Sequence, residues 1–278
     1  MQELVFLKLG GSLITDKALP YTVRLDKVAD LVAQIAHALQ TRPNLLLILG
    51  HGSGSFGHTA AKEFGTRGGV PAHFQLPTSS AKLVGEQYWK GFAEVWYQAS
   101  TLNRYIIQAL HEAGISAITF SPAASVWAEN GQVFAWDLSA IKAALENGII
   151  PVVHGDVIFD RNKGGTILST EELFEHLARE LRPQRILLAG LEEAVWADFP
   201  ERRQKVQKVT RESFKEIQQS TGESVSTDVT GGMESKVRKM LELAESIPGL
   251  TIQIFSGENP GYLEKALLGK HIGTLIES

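Results

Sequence analysis

The sequence contains no cysteine among its 278 residues. This absence excludes disulfide frameworks, zinc sites built on thiolates and cysteine nucleophiles, and it is compatible with a reducing compartment. Long apolar runs are missing as well, since no stretch approaches the roughly 18 residues that a membrane-spanning helix needs. Lys8 interrupts the apolar run Leu4–Leu7, which is too short for the core of a signal peptide. We therefore expect a soluble cytoplasmic protein.

An excess of either charge is also missing. Lysine and arginine number 27 against 31 aspartates and glutamates, a net charge of −4, and no long block carries one sign. The sequence therefore predicts neither a nucleic-acid partner nor a membrane anchor, and a few placed cations must hold any anionic ligand. Apolar residues are present in quantity, at 44% of the chain, which is enough for a sizeable core.

Short β-rich apolar runs alternate with amphipathic segments along the chain, which is typical of a mainly parallel sheet with helices on both faces. The predicted strands are Leu4–Leu9, Leu45–Leu49, Ile115–Phe120, Ile149–Val153, Arg185–Ala189 and Thr251–Phe255. The predicted helices are Leu25–Gln40, Ser79–His111, Leu138–Asn147, Glu171–Glu180, Thr210–Gln219 and Gly232–Glu245. The fold class is α/β, an open, mainly parallel sheet in an αβα sandwich. The polar stretch Arg161–Gly165 predicts a boundary between residues 1–165 and 166–278.

Ligands of open parallel sheets bind beyond the carboxyl ends of the strands, and three loops there are unusual. The first is K-L-G-G-S from Lys8 to Ser12, with Lys17 following. Its glycines allow backbone N–H groups to approach a phosphate closely. The alternative is a tight turn with a solvated lysine.

The second loop, Gly50–His58, has four glycines and two serines in nine residues, which is typical of an anion-binding nest. Its glycines match G-x-G-x-x-G, but the acidic residue that a dinucleotide fold requires about 20 residues on is absent. A Walker A lysine is absent too. His51 and His58 are either structural or ligand-binding, and the position of His58 at the end of the loop favours binding.

The third loop, S-T-D-V-T-G-G-M-E-S-K from Ser226 to Lys236, runs into an amphipathic helix. Its glycines would expose amides at a helix N-terminus, and Lys236, one turn inside, would point a cation towards the same anion. The alternative is that Asp228–Gly232 simply caps the helix.

Together these motifs resemble the amino acid kinase superfamily over essentially the whole chain: K-x-G-G-S, a glycine-rich second loop and D-V-T-G-G-M-x-x-K. The loop H-G-S-G-S-F-G-H is similar to that of the isopentenyl phosphate kinases and the related fosfomycin kinases. In that group the histidine at the position of His58 binds the phosphate or phosphonate of the acceptor. His-Gly-Asp at 154–156 also matches the family, with Gly155 near the acceptor.

The resemblance implies a kinase that uses ATP and Mg²⁺, with residues 1–165 binding the acceptor, residues 166–278 binding the nucleotide, and a homodimer as the assembly. The catalytic residues that it implies are Lys8, Lys17, His58 and Lys236. The nucleotide would contact Lys8, Gly10, Gly11, Ser12, Gly54, Trp196, Gly232 and Lys236. The acceptor would contact Ser53, Gly54, His58 and Gly155. No residue is assigned to a metal.

Two segments depart from the family pattern. Leu-Ser-Thr-Glu-Glu at 168–172 replaces a Ser-Gly-Asp-Asp type sequence, and Gly-Leu-Glu-Glu-Ala-Val-Trp at 190–196 replaces Thr-Asp-Val-Asp-Gly-Val-Tyr. Both affect the adenine, ribose and metal contacts. Trp196 is expected to replace the tyrosine as a flat surface near the base, and either Asp156 or Glu171 is hypothesised to orient the lysines.

Phosphoryl transfer requires positioning and charge neutralisation more than covalent help. A phosphate monoester has a second pKa of about 6, so a phosphate acceptor is largely dianionic near neutral pH and needs no general base. His58 is then expected to orient the acceptor as a hydrogen-bond donor.

The acceptor that the resemblance favours is isopentenyl phosphate, which would be converted to isopentenyl diphosphate. Trp89, Phe92, Ala93 and Trp96 lie at helical spacing, with Tyr88 and Tyr97 nearby, and either pack in the core or line a prenyl pocket. A phosphonate kinase and a non-catalytic nucleotide sensor are the alternatives. A dehydrogenase is disfavoured because the ribose-binding acid is missing.

Overall fold

The computed structural model describes residues 2–70, 79–198, 201–215 and 231–278. The strands are β1 (Glu3–Leu9), β2 (Leu45–His51), β3 (Ala117–Thr119), β4 (Val126–Glu129), β5 (Gln132–Trp136), β6 (Ile150–His154), β7 (Asp156–Asp160), β8 (Gly164–Leu168), β9 (Arg185–Gly190), β10 (Val195–Trp196), β11 (Lys205–Val206), β12 (Lys208–Val209), β13 (Thr251–Ser256) and β14 (Thr274–Ile276). The helices are α1 (Gly11–Ile14), α2 (Leu25–Thr41), α3 (Gly54–Phe64), α4 (Ser79–Glu112), α5 (Pro122–Ser125), α6 (Ser139–Glu146), α7 (Thr170–Leu181), α8 (Gly231–Ser246) and α9 (Tyr262–Leu267).

Eight strands form the main sheet in the order β12-β14-β13-β9-β1-β2-β6-β3. Neighbouring strands are parallel except for β13 and β14, which are antiparallel. Strands from both halves of the chain pair in this sheet, since β1 lies between β2 and β9. The carboxyl ends of these central strands therefore meet at one edge, where the motif loops follow them.

Helices cover both faces of the main sheet. Alternate residues of β1 face opposite ways, with Phe6 packing in one buried cluster and Leu7 in the other. The first cluster draws on α6, α7 and α8, and the second on α2, α4 and α9. The predicted α/β class with helices on both faces of a mainly parallel sheet is confirmed.

The six predicted strands form β1, β2, β3, β6, β9 and β13, within two residues at each end. Five predicted helices match α2, α4, α6, α7 and α8 closely. In the sixth, Thr210–Gln219, residues 211–215 are helical, and residues 216–219 lie outside the described residues. The sequence did not predict the remaining elements, which are the strands β4, β5, β7, β8, β10, β11, β12 and β14 and the helices α1, α3, α5 and α9. The glycine-rich segment treated as a loop begins a helix at Gly54, which corrects the position of His58 from loop to helix.

A separate four-stranded sheet has the order β5-β4-β7-β8. The predicted boundary at Arg161–Gly165 falls at the turn of its β7–β8 hairpin and continues into β8. The Asp160 carboxylate organises this turn by accepting the N–H groups of Asn162 at 2.9 Å and Lys163 at 2.8 Å. The division of the chain into two lobes at residue 165 stays a prediction.

None of the helices among the described residues combines the length and apolar character that crossing a membrane requires.

Candidate active site

One cavity of about 930 Å³ lies beyond the carboxyl ends of β1, β2, β6 and β9. It brings together nearly every residue predicted for the site: Lys8, Gly10, Gly11, Ser12, Lys17, Ser53, Gly54, His58, Gly155, Trp196 and Lys236. Gly232 is the second residue of α8 and adjoins Met233, which lines the cavity. Ser226–Thr230 of the third motif lie outside the described residues. Loops far apart in the sequence thus share one cavity.

Two of the predicted lysines share a carboxylate. Glu171 Oε1 forms an ion pair with Lys8 Nζ and lies 3.4 Å from Lys236 Nζ. The Lys8 side chain is 11% exposed and that of Glu171 13%, so water screens this contact little. We call Lys8, Glu171 and Lys236 the lysine cluster. It places two cations at one point of the cavity, as the binding of a polyphosphate requires.

The protonation states within the lysine cluster follow from its burial. Burial alone raises the pKa of the Glu171 carboxyl, but Lys8 and then Lys236 outweigh it and lower that pKa to about 2. Burial lowers the pKa of Lys8, although the Glu171 carboxylate opposes this effect. Glu171 is therefore ionised at neutral pH and favours the cationic form of Lys8.

The start of α7 fixes the position of Glu171. Ser169 and Glu172 form a capping box, in which the Ser169 hydroxyl accepts the Glu172 N–H at 3.3 Å and the Glu172 carboxylate accepts the Ser169 N–H at 2.7 Å. The departure from the family pattern at 168–172 therefore forms a capped helix start. Of the two acids hypothesised to orient the lysines, the structure brings Glu171 to them.

Asp156 lies elsewhere, in a buried polar group that the motifs did not reveal. The rings of His51 and His154 stack at 5.2 Å between centroids, and His154 Nδ1 lies 4.0 Å from Asp156 Oδ2. Burial lowers the pKa of both histidines, that of His154 to about 3, and raises the pKa of Asp156 to about 8. His51 Nε2 contacts Asn103 Oδ1 at 3.1 Å. This buried group lies at the carboxyl ends of β2 and β6, since His51 and His154 are the last residues of those strands.

The first two glycine loops touch each other through their backbones. A Cβ atom on Gly11 would lie 2.4 Å from the Gly54 nitrogen, and one on Gly52 would lie 2.8 Å from the Gly11 nitrogen. Gly54 also has φ +51°, which disfavours any side chain. We call Gly11, Gly52 and Gly54 the glycine contact. Only residues without a side chain allow the loops this close approach.

Helix α3 begins at Gly54 within the second loop, so the partial positive charge of its N-terminus lies at the cavity. Ser53 is its N-cap residue and lines the cavity, but its side chain makes no capping hydrogen bond. His58 follows one turn later on the same helix and is exposed. Ser53, Gly54 and His58 therefore lie together, as the acceptor site predicts.

Trp196 lies on the β10–β11 hairpin at the cavity wall. Its indole N–H donates to Glu192 at 3.1 Å, and Lys205 Nζ lies 5.5 Å from the ring centroid. Apolar residues line the same cavity: Leu188, Leu191, Val195, Val209, Phe214, Met233, Val237, Met240 and Ile254. A flat ring beside an apolar wall suits a planar heterocycle.

The predicted aromatic stripe on α4 is divided. Tyr88 and Phe92 are buried and pack against Ala60 and Val157, whereas Trp96 is 44% exposed. None of these side chains is among the described residues that line the cavity. The described part of the stripe therefore packs in the core or faces solvent.

The described residues hold no group of three histidine, cysteine, aspartate or glutamate side chains that could bind a metal ion. The carboxylate nearest the lysines, Glu171, already pairs with both of them. These residues do not form a dedicated Mg²⁺ cage of oxygen ligands.

The architecture and this site define a class of protein. The model of the amino acid kinase family matches residues 3–256. The chain belongs to the amino acid kinase family, and it is a small-molecule phosphotransferase.

Its relatives narrow the comparison further. The chain is 31% identical to the isopentenyl phosphate kinase of Methanocaldococcus jannaschii over 99% of its own length and 98% of that protein. It is 33% identical to the isopentenyl phosphate kinase of Haloferax volcanii, again over 99% of this chain and 98% of the relative. A solved isopentenyl phosphate kinase structure superimposes with a TM-score of 0.81 at 28% identity, covering 98% of this chain and 99% of that one. These comparisons confirm the resemblance inferred from the motifs.

Proposed function

We propose that the chain transfers the γ-phosphoryl group of ATP to isopentenyl phosphate and releases isopentenyl diphosphate and ADP. Full-length similarity to the isopentenyl phosphate kinases of Methanocaldococcus jannaschii and Haloferax volcanii supports the choice of acceptor. The lysine cluster carries the proposal, because two cations joined by one carboxylate suit the charge of a phosphoryl group in transit.

In the proposed step, a phosphate oxygen of the acceptor attacks Pγ, and the bond from Pγ to the bridging oxygen of ADP breaks. The acceptor phosphate is largely dianionic near neutral pH, so no proton has to be removed by the protein. Lys8 and Lys236 stabilise the charge on the transferring oxygens, and Lys17 extends this positive surface. Ser53, Gly54, His58 and Gly155 hold the acceptor phosphate in line.

Gly11, Ser12 and Gly232 supply backbone N–H groups to the ATP phosphates, and Trp196 contacts the adenine. The Gly10 N–H bonds to the Ala189 carbonyl oxygen at 2.8 Å, so Gly10 contributes close approach of its backbone and not a donor. Mg²⁺ enters bound to ATP in this proposal, because phosphates and water satisfy its octahedral geometry. The lysine cluster does not provide Mg²⁺ ligands, and no step of the proposal depends on one.

Steady-state kinetics with purified protein and MgATP test the acceptor. We expect the highest kcat/KM with isopentenyl phosphate, lower values with dimethylallyl phosphate, and diphosphate formation detected by phosphorus NMR. Efficient turnover of fosfomycin alone would assign the chain to the phosphonate kinases. ATP binding without transfer to any of the three acceptors would favour a nucleotide sensor.

The variant His58→Ala tests the acceptor end of the site. Loss of one donor to a charged phosphate should lower kcat/KM for the acceptor about 100-fold, while the dissociation constant for ATP changes little. His58→Gln, which retains an N–H donor, should recover part of the loss. Near-normal kinetics of the alanine variant would remove His58 from the site.

A homodimer in the cytoplasm completes the proposal and rests on the resemblance to the family. Light scattering coupled to size-exclusion chromatography measures the mass directly, and a mass equal to one chain would reject the dimer.

A further inference from the structure

Thr15 joins the two glycine loops through its hydroxyl group. The hydroxyl donates to the Gly11 carbonyl oxygen at 2.8 Å and accepts the Ser55 N–H at 3.0 Å. Gly11 begins α1 after β1, and Ser55 lies in the first turn of α3 after β2, so one side-chain oxygen joins the segments that follow two neighbouring strands. Thr15 is 1% exposed, and water does not compete for these bonds.

The hydrogen bond from Ser55 serves a helix end. The first N–H groups of a helix have no acceptor within the helix and normally depend on the N-cap side chain. In α3 the N-cap residue Ser53 makes no such bond, and Thr15, from another part of the chain, caps the helix instead. Ser53 itself remains one of the residues that line the cavity.

The space around Thr15 is filled on the side of the second loop. A Cβ atom on Gly54 would lie 2.2 Å from Thr15 Oγ1 and 2.7 Å from Thr15 Cγ2. The glycine at position 54 and the threonine at position 15 therefore fit each other closely. Thr15 also pairs through its backbone with Val23, which closes the segment that carries Lys17.

We propose that Thr15 is a positioning residue that sets the spacing between the first motif loop, Lys8–Ser12, which binds ATP phosphates, and helix α3, which binds the acceptor. This role rests on the proposed function, since the spacing matters only if a phosphoryl group crosses from one loop to the other. Thr15 touches no reacting atom. It acts through Gly11 and through the N-terminus of α3. A small displacement of either one would disturb the alignment of the acceptor oxygen with Pγ.

Three variants separate the hydroxyl group from its surroundings. Thr15→Val keeps the shape and removes both hydrogen bonds, whereas Thr15→Ser keeps the hydroxyl. Thr59→Val is the matched control, because the Thr59 hydroxyl also bonds to Ser55, at its carbonyl oxygen 2.7 Å away, without joining the loops. We expect Thr15→Val to lower kcat by about 100-fold while the ATP dissociation constant changes by less than about threefold. Thr15→Ser and Thr59→Val should keep kcat within about threefold of the original value.

Hydrogen exchange on the unaltered protein gives a readout that needs no variant. The Ser55 amide, which would exchange freely at an uncapped helix start, should be protected by about tenfold or more. Fast exchange there would overturn the proposal, as would full kcat in Thr15→Val or equal losses in Thr15→Val and Thr59→Val. If the unaltered protein phosphorylates no acceptor, the proposed function fails, and the Ser55 exchange rate still decides whether Thr15 caps the helix.

Discussion

The lysine cluster and the glycine contact adjoin the same cavity but depend on opposite properties of their residues. The lysine cluster needs side chains: Lys8 and Lys236 repel each other, and Glu171 between them stabilises both. The glycine contact needs side chains to be absent, because a Cβ on Gly11 or Gly54 would overlap the facing loop. The lysine cluster thus depends on charge, and its stability responds to pH. The glycine contact depends on shape, and its stability does not respond to pH.

Loss of a cation should have the largest effect on catalysis. We expect Lys8→Met to lower kcat by about 10²–10³, the range found when one group that stabilises transition-state charge is removed. Lys27→Met is the control, since Lys27 is also well covered and pairs with Glu258 away from the cavity. If kcat of Lys8→Met stays within threefold of the original value, the lysine cluster does not contribute to catalysis.

The glycine contact should fail through sterics at every pH. In Gly54→Ala the strain of a positive φ and the overlap with Thr15 together should cost about 3 kcal/mol of unfolding free energy, measured by urea denaturation. Gly148→Ala separates the two causes, because Gly148 has φ +68° but no atom within 4 Å of the added Cβ. It should lose only about 1 kcal/mol. Equal losses of unfolding free energy in Gly54→Ala and Gly148→Ala would mean that the overlap with Thr15 contributes nothing.

The lysine cluster should make stability depend on acid pH. Because the pKa of Glu171 falls from 4.5 to about 2 on folding, its contribution is complete above pH 4.5 and is lost as pH falls towards 2. Glu171→Gln should flatten the decline of unfolding free energy in this window and lower kcat about tenfold, as the lysines shift apart. Glu175→Gln, which removes an exposed pair with Arg179, is the control. A decline in Glu171→Gln as steep as in the original protein would contradict the pKa.

The smallest effect is expected at Trp196, outside both regions. Trp196→Ala should raise the KM for ATP about fivefold, as lost stacking on a base predicts, with kcat unchanged. Trp196→Phe should retain most of the affinity. An unchanged KM for ATP in the alanine variant would show that the adenine does not bind at the β10–β11 hairpin.

The predicted strands and helices succeeded where periodicity was strong. The apolar runs of β1, β2 and β9 are buried on both sides, and such runs have few alternatives to a central parallel strand. Helix α3 was missed because Gly54 and Gly57 each lower helix propensity by about 1 kcal/mol. The tertiary contact from Thr15 to Ser55 offsets part of that cost, and no local pattern indicates it.

The motif residues were predicted from residue types at fixed spacing, and the cavity gathers them. Glu171 was considered together with Asp156, and the choice between them needed distances. The sequence places Asp156 after the predicted strand Ile149–Val153 and Glu171 at the start of a predicted helix, and neither position shows which carboxylate meets the lysines. In the structure, Asp156 lies in a buried group with His154, and α7 presents Glu171 to the lysines. Burial and neighbouring charge then give the two carboxyls opposite pKa shifts.

Residue types and periodicity by themselves determined the fold class and the three motif loops, and the resemblance of these loops to known motifs gave the family. These are local properties, since glycine permits close approach and apolar runs form buried strands wherever the chain leads. Tertiary structure alone decided which carboxylate joins Lys8 to Lys236 and which hydroxyl caps α3. Both contacts link residues far apart in the chain, and only the packing of the sheet brings such groups within hydrogen-bond distance.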